Sequence, residues 1–188
     1  MKVLSNEDTI LKEVYSSFKQ RLSFDDFQSK LNSLTIDKRN FVRATLLYKQ
    51  ALKCKECNPT VAMVLLCSCA DALKLAEGNW KRIKTFYETY CPDDDEFRIA
   101  PIEYYPNCKL PRTPAPFDKA IYCIYKKFRV KFVHEGINHI RAEDNIDFLY
   151  VRLKDENGVC GYCKICFPEV VNWFEKITFE SLFAMLAN

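Results

Sequence analysis

The sequence predicts one all-α domain over residues 1–188, a bundle of up-and-down helices with a small β-hairpin before the C-terminal helix. Three observations predict it. Aromatic residues make up 14% of the 188 positions against four glycines, a balance that favours packed helices over turn-rich β structure. Apolar side chains recur at three- and four-residue intervals along most of the chain. Asn157-Gly158, a strong two-residue hairpin signal, stands between the apolar, β-branched runs Ile146 to Leu153 and Val159 to Ile165.

The elements follow in order. Ser5 to Asp8 resembles a capping box and precedes Ile10, Leu11, Val14, Tyr15 and Phe18 at helical spacing. Ser23-Phe-Asp-Asp26 repeats the device before Phe27 and Leu31. Thr35 is a candidate cap for a third helix through Phe41, Thr45, Tyr48 and Leu52 to about Lys55. Asn58-Pro59 opens a fourth, apolar nearly all round and expected to be the buried central helix, running from Val61 to Glu77 with Gly78 as its stop. Trp80, Ile83, Phe86, Tyr87 and Tyr90 indicate a further short helix. Residues 91–116 hold six of the eight prolines and read as a long inserted loop. After the 146–166 hairpin, Pro168 opens a last helix that Thr178 is expected to interrupt.

No secretory leader is expected, because Met1-Lys2-Val3-Leu4 gives way at once to Ser5-Asn6-Glu7-Asp8. No apolar run approaches the ~20 residues of a membrane span. A cytoplasmic, membrane-free protein is therefore expected, and its ten cysteines are expected to be thiols or metal ligands before a disulfide framework.

The chain is organised around the segment from Phe117 to His134. Phe117, Ile121, Ile124, Phe128 and Phe132 form a core stripe, and Gly136 follows where a left-handed cap needs no Cβ. In a regular helix Arg129 and His134 fall on opposite flanks of the outward face, with Tyr122, Lys126, Val130 and Val133 between them. Two outward valines beside each other suggest burial on both sides, against a second copy of the chain. Lys119, Lys126, Lys127, Arg129 and Lys131 lie within thirteen residues, so a phosphate-attracting surface is weighed against a solvated face. The net charge of +3 does not decide between them.

Arg129-Val-Lys-Phe-Val-His134, followed by Glu135-Gly136, resembles the Arg–(four to six residues)–His signature of HEPN domains, and the Ile124-to-Phe128 lead-in looks most like the Apea-type branch. These are all-helical domains, many of them metal-independent ribonucleases that act as dimers. The resemblance implies a homodimer through the 117–134 helix, with Arg129 of each copy meeting His134 of the other in one RNA-binding cleft. An imidazole with an ordinary pKa near ~6.5 suits removal of the 2′-hydroxyl proton. A permanently charged, forked guanidinium suits the phosphorane. The products would be a 2′,3′-cyclic phosphate and a 5′-hydroxyl.

Asp71, in the small-residue context Cys69-Ala70-Asp71-Ala72-Leu73, matches an acidic position often found near the family's Arg/His pair. Lys126, Lys127 and Lys131 are the candidate RNA-binding lysines. No cofactor is required for such catalysis, and relatives extend the expectation to toxin–antitoxin or antiviral defence, with an antitoxin or effector protein as partner. Val130 stands where many active members carry a polar residue after the arginine. It favours the alternative, a non-catalytic HEPN module that binds nucleotide, RNA or a protein.

Cys54-Lys-Glu-Cys57 and Cys160-Gly-Tyr-Cys163 have the two-residue spacing of a structural zinc site, although Cys166 competes as a fifth donor and strand alternation separates Cys160 from Cys163. Buried or free thiols are the other reading. Cys67 and Cys69 are expected to be packing residues, His139 a polar surface residue, and Trp80 and Trp173 helix-face core anchors rather than base-stacking platforms.

Overall fold

Short polar side chains mark the helix starts by accepting from backbone N–H groups that have no partner inside the helix. The computed structural model describes residues 6–105, 113–131, 148–154, 160–166 and 169–187. Helix α1 (Asn6–Tyr15) is followed by α2 (Phe24–Ser33), where Ser23 Oγ accepts from Asp26 N at 3.1 Å. The cap of α3 (Lys38–Cys54) is Asp37, whose Oδ1 accepts from Arg39 N at 2.9 Å. Thr35, the expected cap, lies in the preceding bend. Asn58 Oδ1 accepts from Val61 N at 3.1 Å and starts α4 (Pro59–Ala72), as the Asn-Pro pair predicts.

Helix α4 ends five residues short of the expected Glu77. Lys74 adopts a left-handed φ of 55°, which no continuing helix tolerates. Gly78 is accordingly the start of the next helix and not the stop of this one. Its φ of 83° turns the chain into α5 (Asn79–Tyr90).

The last helix, α8 (Glu169–Ala187), runs without a break through Thr178, contrary to expectation. That hydroxyl bonds back to Phe174 O at 2.6 Å and lies 2.8 Å from Tyr87 Oη, so the helix loses no backbone bond to it. Helix α4 is the buried hub that the sequence predicts, packed against α3, α5 and α8, with Ala62, Met63, Leu66, Cys67, Cys69 and Ala70 inside. Phe18 stacks on Phe27, Phe41 and Phe179, each phenyl of the first three fully buried. Burial of one such ring contributes about 1.5–3 kcal/mol.

The proline-rich stretch carries more structure than its composition indicates. It contains α6 (Asp95–Arg98), capped by Asp94, then strands β1 (Ile102–Tyr105) and β2 (Thr113–Pro114). The expected hairpin forms as β3 (Phe148–Lys154) and β4 (Cys160–Cys166), antiparallel from Phe148↔Cys166 to Lys154↔Cys160. Its Asn157-Gly158 turn lies outside the described residues. Instead of standing alone, the hairpin takes in the proline-rich stretch. Strand β1 pairs with β4 through Ile102↔Ile165 and Tyr104↔Cys163, giving a sheet of order β2-β1-β4-β3. A Cβ at Gly161 would stand 2.9 Å from the outer end of the Tyr104 ring, which would have to shift to admit it. The fold is thus mostly helical, with a small antiparallel sheet before the terminal helix.

The helix from Phe117 is regular only as α7 (Phe117–Ile124). It then widens into a π-helical segment, Tyr125–Lys131. Two ties hold α7 to the sheet: a disulfide joining Cys123 to Cys163, and a bond from Lys119 Nζ to Tyr104 Oη at 3.3 Å. The disulfide corrects the expectation of thiols or metal ligands for Cys123 and Cys163, while Cys54, Cys57, Cys67, Cys69 and Cys91 are free thiols. The β1–β4–β3 register brings Cys163 within 6.8 Å (Cα–Cα) of a residue forty positions earlier, a closeness that spacing alone does not reveal. No helix among the described residues is long and apolar enough to cross a membrane.

Candidate functional site

A π turn closes i→i+5, so each residue advances less around the axis than in an α-helix. That difference decides where Arg129 points. Phe128 stays in the core, as its stripe predicts, while Arg129 swings back towards the same side and reaches α4. Its Nη2 lies 3.2 Å from Asp71 Oδ2, and both side chains are only 17% exposed. The expectation of an outward-facing Arg129 is corrected accordingly. It assumed a constant 100° per residue, which holds only to Ile124.

Asp71 is shared. Its second oxygen, Oδ1, accepts from Arg82 Nη1 at 3.2 Å, and Arg82 Nε is anchored on Ala76 O at 2.9 Å. One carboxylate therefore stands between two guanidiniums, leaving the cluster with one net positive charge. Each contact uses one N–H of a fork that offers five. Arg129 Nε is buried and finds no acceptor among the described residues. An unmet donor of this kind costs about 1–3 kcal/mol, and sites that carry one are commonly completed by an ion or ligand.

Cys67 lies one turn before Asp71 on α4. Burial pushes its thiol well up, and the Arg129 charge pulls the other way to a smaller extent. Cys69 is likewise raised by burial. Both are packing residues, as expected.

The structure thus brings Arg129 and Asp71 together and adds Arg82, which sequence reasoning missed. The available signal was partial: Asp71 needed a cation, and of the basic residues on α5 Lys81 and Lys84 are exposed while Arg82 flanks the inward Ile83, Phe86 and Tyr87. Lys126 holds its ammonium 5.5 Å from the centroid of the Tyr122 ring. Lys127 and Val130 are half-buried on the π segment, and the Lys131 side chain is outside the described residues. His134, Val133 and His139 lie outside them too. Trp80 is half-buried, packed against the core and against Tyr122 and Tyr125, and Trp173 is buried and donates Nε1–H to Phe97 O at 3.0 Å, so both anchor the core as expected.

For the four cysteines with zinc spacing, Cys163 is bonded to Cys123, so it is a donor only when that bond is open. Cys54 is half-buried and Cys57 exposed on the turn after α3, and the Cys160 side chain is not described. Among the described residues no three His, Cys, Asp or Glu side chains gather as a metal site would need.

Compared with known proteins, the chain matches no family model, no curated protein and no solved structure.

Proposed function

We propose that this chain is a metal-independent endoribonuclease of HEPN type, acting as a homodimer through the Phe117–His134 segment. The observation that supports this most is the Arg129 guanidinium, half-buried on a π segment and oriented by a carboxylate that Arg82 shares. Such a cation is stiff, partly dehydrated and only half used by its neighbour. A phosphorane with two charged oxygens is what it would stabilise. Asp71 is the positioning residue, Arg129 the clamp and His134 the base that takes the 2′-hydroxyl proton. Attack of that oxygen on phosphorus expels the 5′-oxygen, which takes a proton from water to become the 5′-hydroxyl, and leaves a 2′,3′-cyclic phosphate. Lys126, Lys127 and Lys131 hold the strand by its phosphates.

The test is cleavage of single-stranded and structured RNA in EDTA by the unmodified chain, Arg129→Ala and His134→Ala. Each substitution is expected to lower the rate by about 100- to 1,000-fold, with cyclic phosphate ends on the products. Cutting by all three chains alike would end the proposal. Mixing the two variants should restore part of the activity if a cleft takes its arginine from one copy and its histidine from the other.

A second reading is a non-catalytic module that binds RNA, nucleotide or a protein. Val130 favours it, because it supplies no polar group beside Arg129. RNA retained without cleavage by the unmodified chain would select it.

A further inference from the structure

Among the described side chains, most cysteines are closed to chemistry from outside. Cys123 and Cys163 are bonded to each other, and Cys67, Cys69 and Cys91 are buried. Burial also pushes those three thiols up, away from the thiolate form that reacts. Cys54 and Cys57 are the exception. Both are free thiols, Cys54 half-buried and Cys57 exposed.

The fold brings these two onto one turn. Cys54 ends α3, and its carbonyl accepts from Cys57 N at 3.1 Å and from Asn58 N at 2.7 Å. Residues 54–57 therefore make a closed turn, with Lys55 still in α-helical geometry. The Cα atoms that bound such a turn are less than about 7 Å apart, which overlaps the roughly 4.4–6.8 Å that a disulfide spans. Both flanks of the turn are pinned. Lys55, between the cysteines, donates from Nζ to Glu175 at 2.5 Å and to Asn172 at 3.1 Å, both on α8. On the other side Asn58 Oδ1 accepts from Val61 N and starts α4. A turn held at both ends keeps the second thiol beside the first, and that favours an intramolecular step.

We propose that Cys54 and Cys57 form a thiol–disulfide exchange site whose co-reactant is a small disulfide of the oxidised-glutathione class. Cys57, the exposed member, attacks one sulfur of that disulfide as the thiolate. A mixed disulfide forms and one small thiol leaves. The Cys54 thiolate then attacks the Cys57 sulfur, which closes the Cys54–Cys57 bond and releases the second small thiol. The pair gives up two electrons and two protons, and the small disulfide takes them up as two thiols. An excess of the small thiol reverses both steps. The site is independent of the ribonuclease reading, since Asp71 stands near the other end of α4, roughly 18 Å along the axis from Pro59.

The test treats the full chain with oxidised glutathione, traps remaining thiols with N-ethylmaleimide, and reads the peptide holding residues 54–57 by mass spectrometry. The unmodified chain is expected to lose two hydrogens there, take up no maleimide and carry glutathione only transiently. Cys54→Ser should instead keep glutathione on Cys57, with a lifetime at least about tenfold longer. Cys57→Ser should react at least about tenfold more slowly than Cys54→Ser, because the remaining thiol is half-buried. Circular dichroism establishes that each variant is folded.

A glutathione adduct on the unmodified chain that lasts as long as the one on Cys54→Ser would overturn the proposal. So would a bond from either cysteine to a third one, or a pair that stays reduced at every ratio of oxidised to reduced glutathione.

Discussion

Two polar side chains withdrawn from solvent in this bundle solve the same problem in opposite ways. On α8, Thr178 is fully buried, bonded to its own helix at Phe174 O and to Tyr87 across the core, and the helix stays regular over nineteen residues. On the segment after α7, Arg129 meets one oxygen of Asp71, has no acceptor for Nε among the described residues, and sits in a helix that has abandoned α geometry. The first is closed, each hydroxyl answered by the protein itself. The second is open, with charge and a donor in reserve. Among the described residues no other buried side-chain nitrogen or oxygen is left unmet, which makes this site a candidate for work on something outside the chain.

Substitutions can break this contrast. The largest effect is expected at the open site: Asp71→Asn leaves two partly buried guanidiniums without their counter-charge and should cost about 3 kcal/mol in urea unfolding. A loss below about 1 kcal/mol would instead class the pair with ordinary exposed ion pairs. Next comes the tie that holds α7 to the sheet. Cys163→Ser should cost about 2–4 kcal/mol under non-reducing conditions, and dithiothreitol should lower the unmodified chain to the same level while leaving the variant unchanged.

The closed site should respond less. Thr178→Val orphans the Tyr87 hydroxyl and should cost about 1–3 kcal/mol, part of which the double change with Tyr87→Phe should recover. An open site offers no such repair by an apolar pair.

The last prediction concerns pH. Burial holds the Cys67 and Cys69 thiols well above their ordinary value and pushes Cys91 up to about 11. Folded pKa values lie above unfolded ones, so this contribution is whole below about pH 9 and fades as pH rises through 11. Urea midpoints measured from pH 7 to 11 should be flat at first and then fall.

Periodicity and caps made most of the bundle legible. Ser23 and Asn58 hold the bonds that their positions imply, and Asn157-Gly158 separates two strands that do pair. The failures share a cause: each depended on something non-local. Spacing placed Gly78 after the α4 pattern, but the left-handed backbone at Lys74 had already ended that helix. The strand at Ile102–Tyr105 is four residues long among prolines and exists because β4 offers it an edge. At the site, the small-residue context singled out Asp71, but Arg82 comes from a third helix, and the π turn that aims Arg129 leaves no mark in a pattern read at 100° per residue.

The Cys123–Cys163 bond has a practical consequence for anyone handling the protein. It closes a ring around every residue from 124 to 162, the arginine of the signature and its histidine included. A protease that cuts once inside that ring makes two polypeptides yet leaves one molecule. An electrophoretic band that stays whole until a thiol reductant is added, and then splits, would reveal both the nick and the clasp.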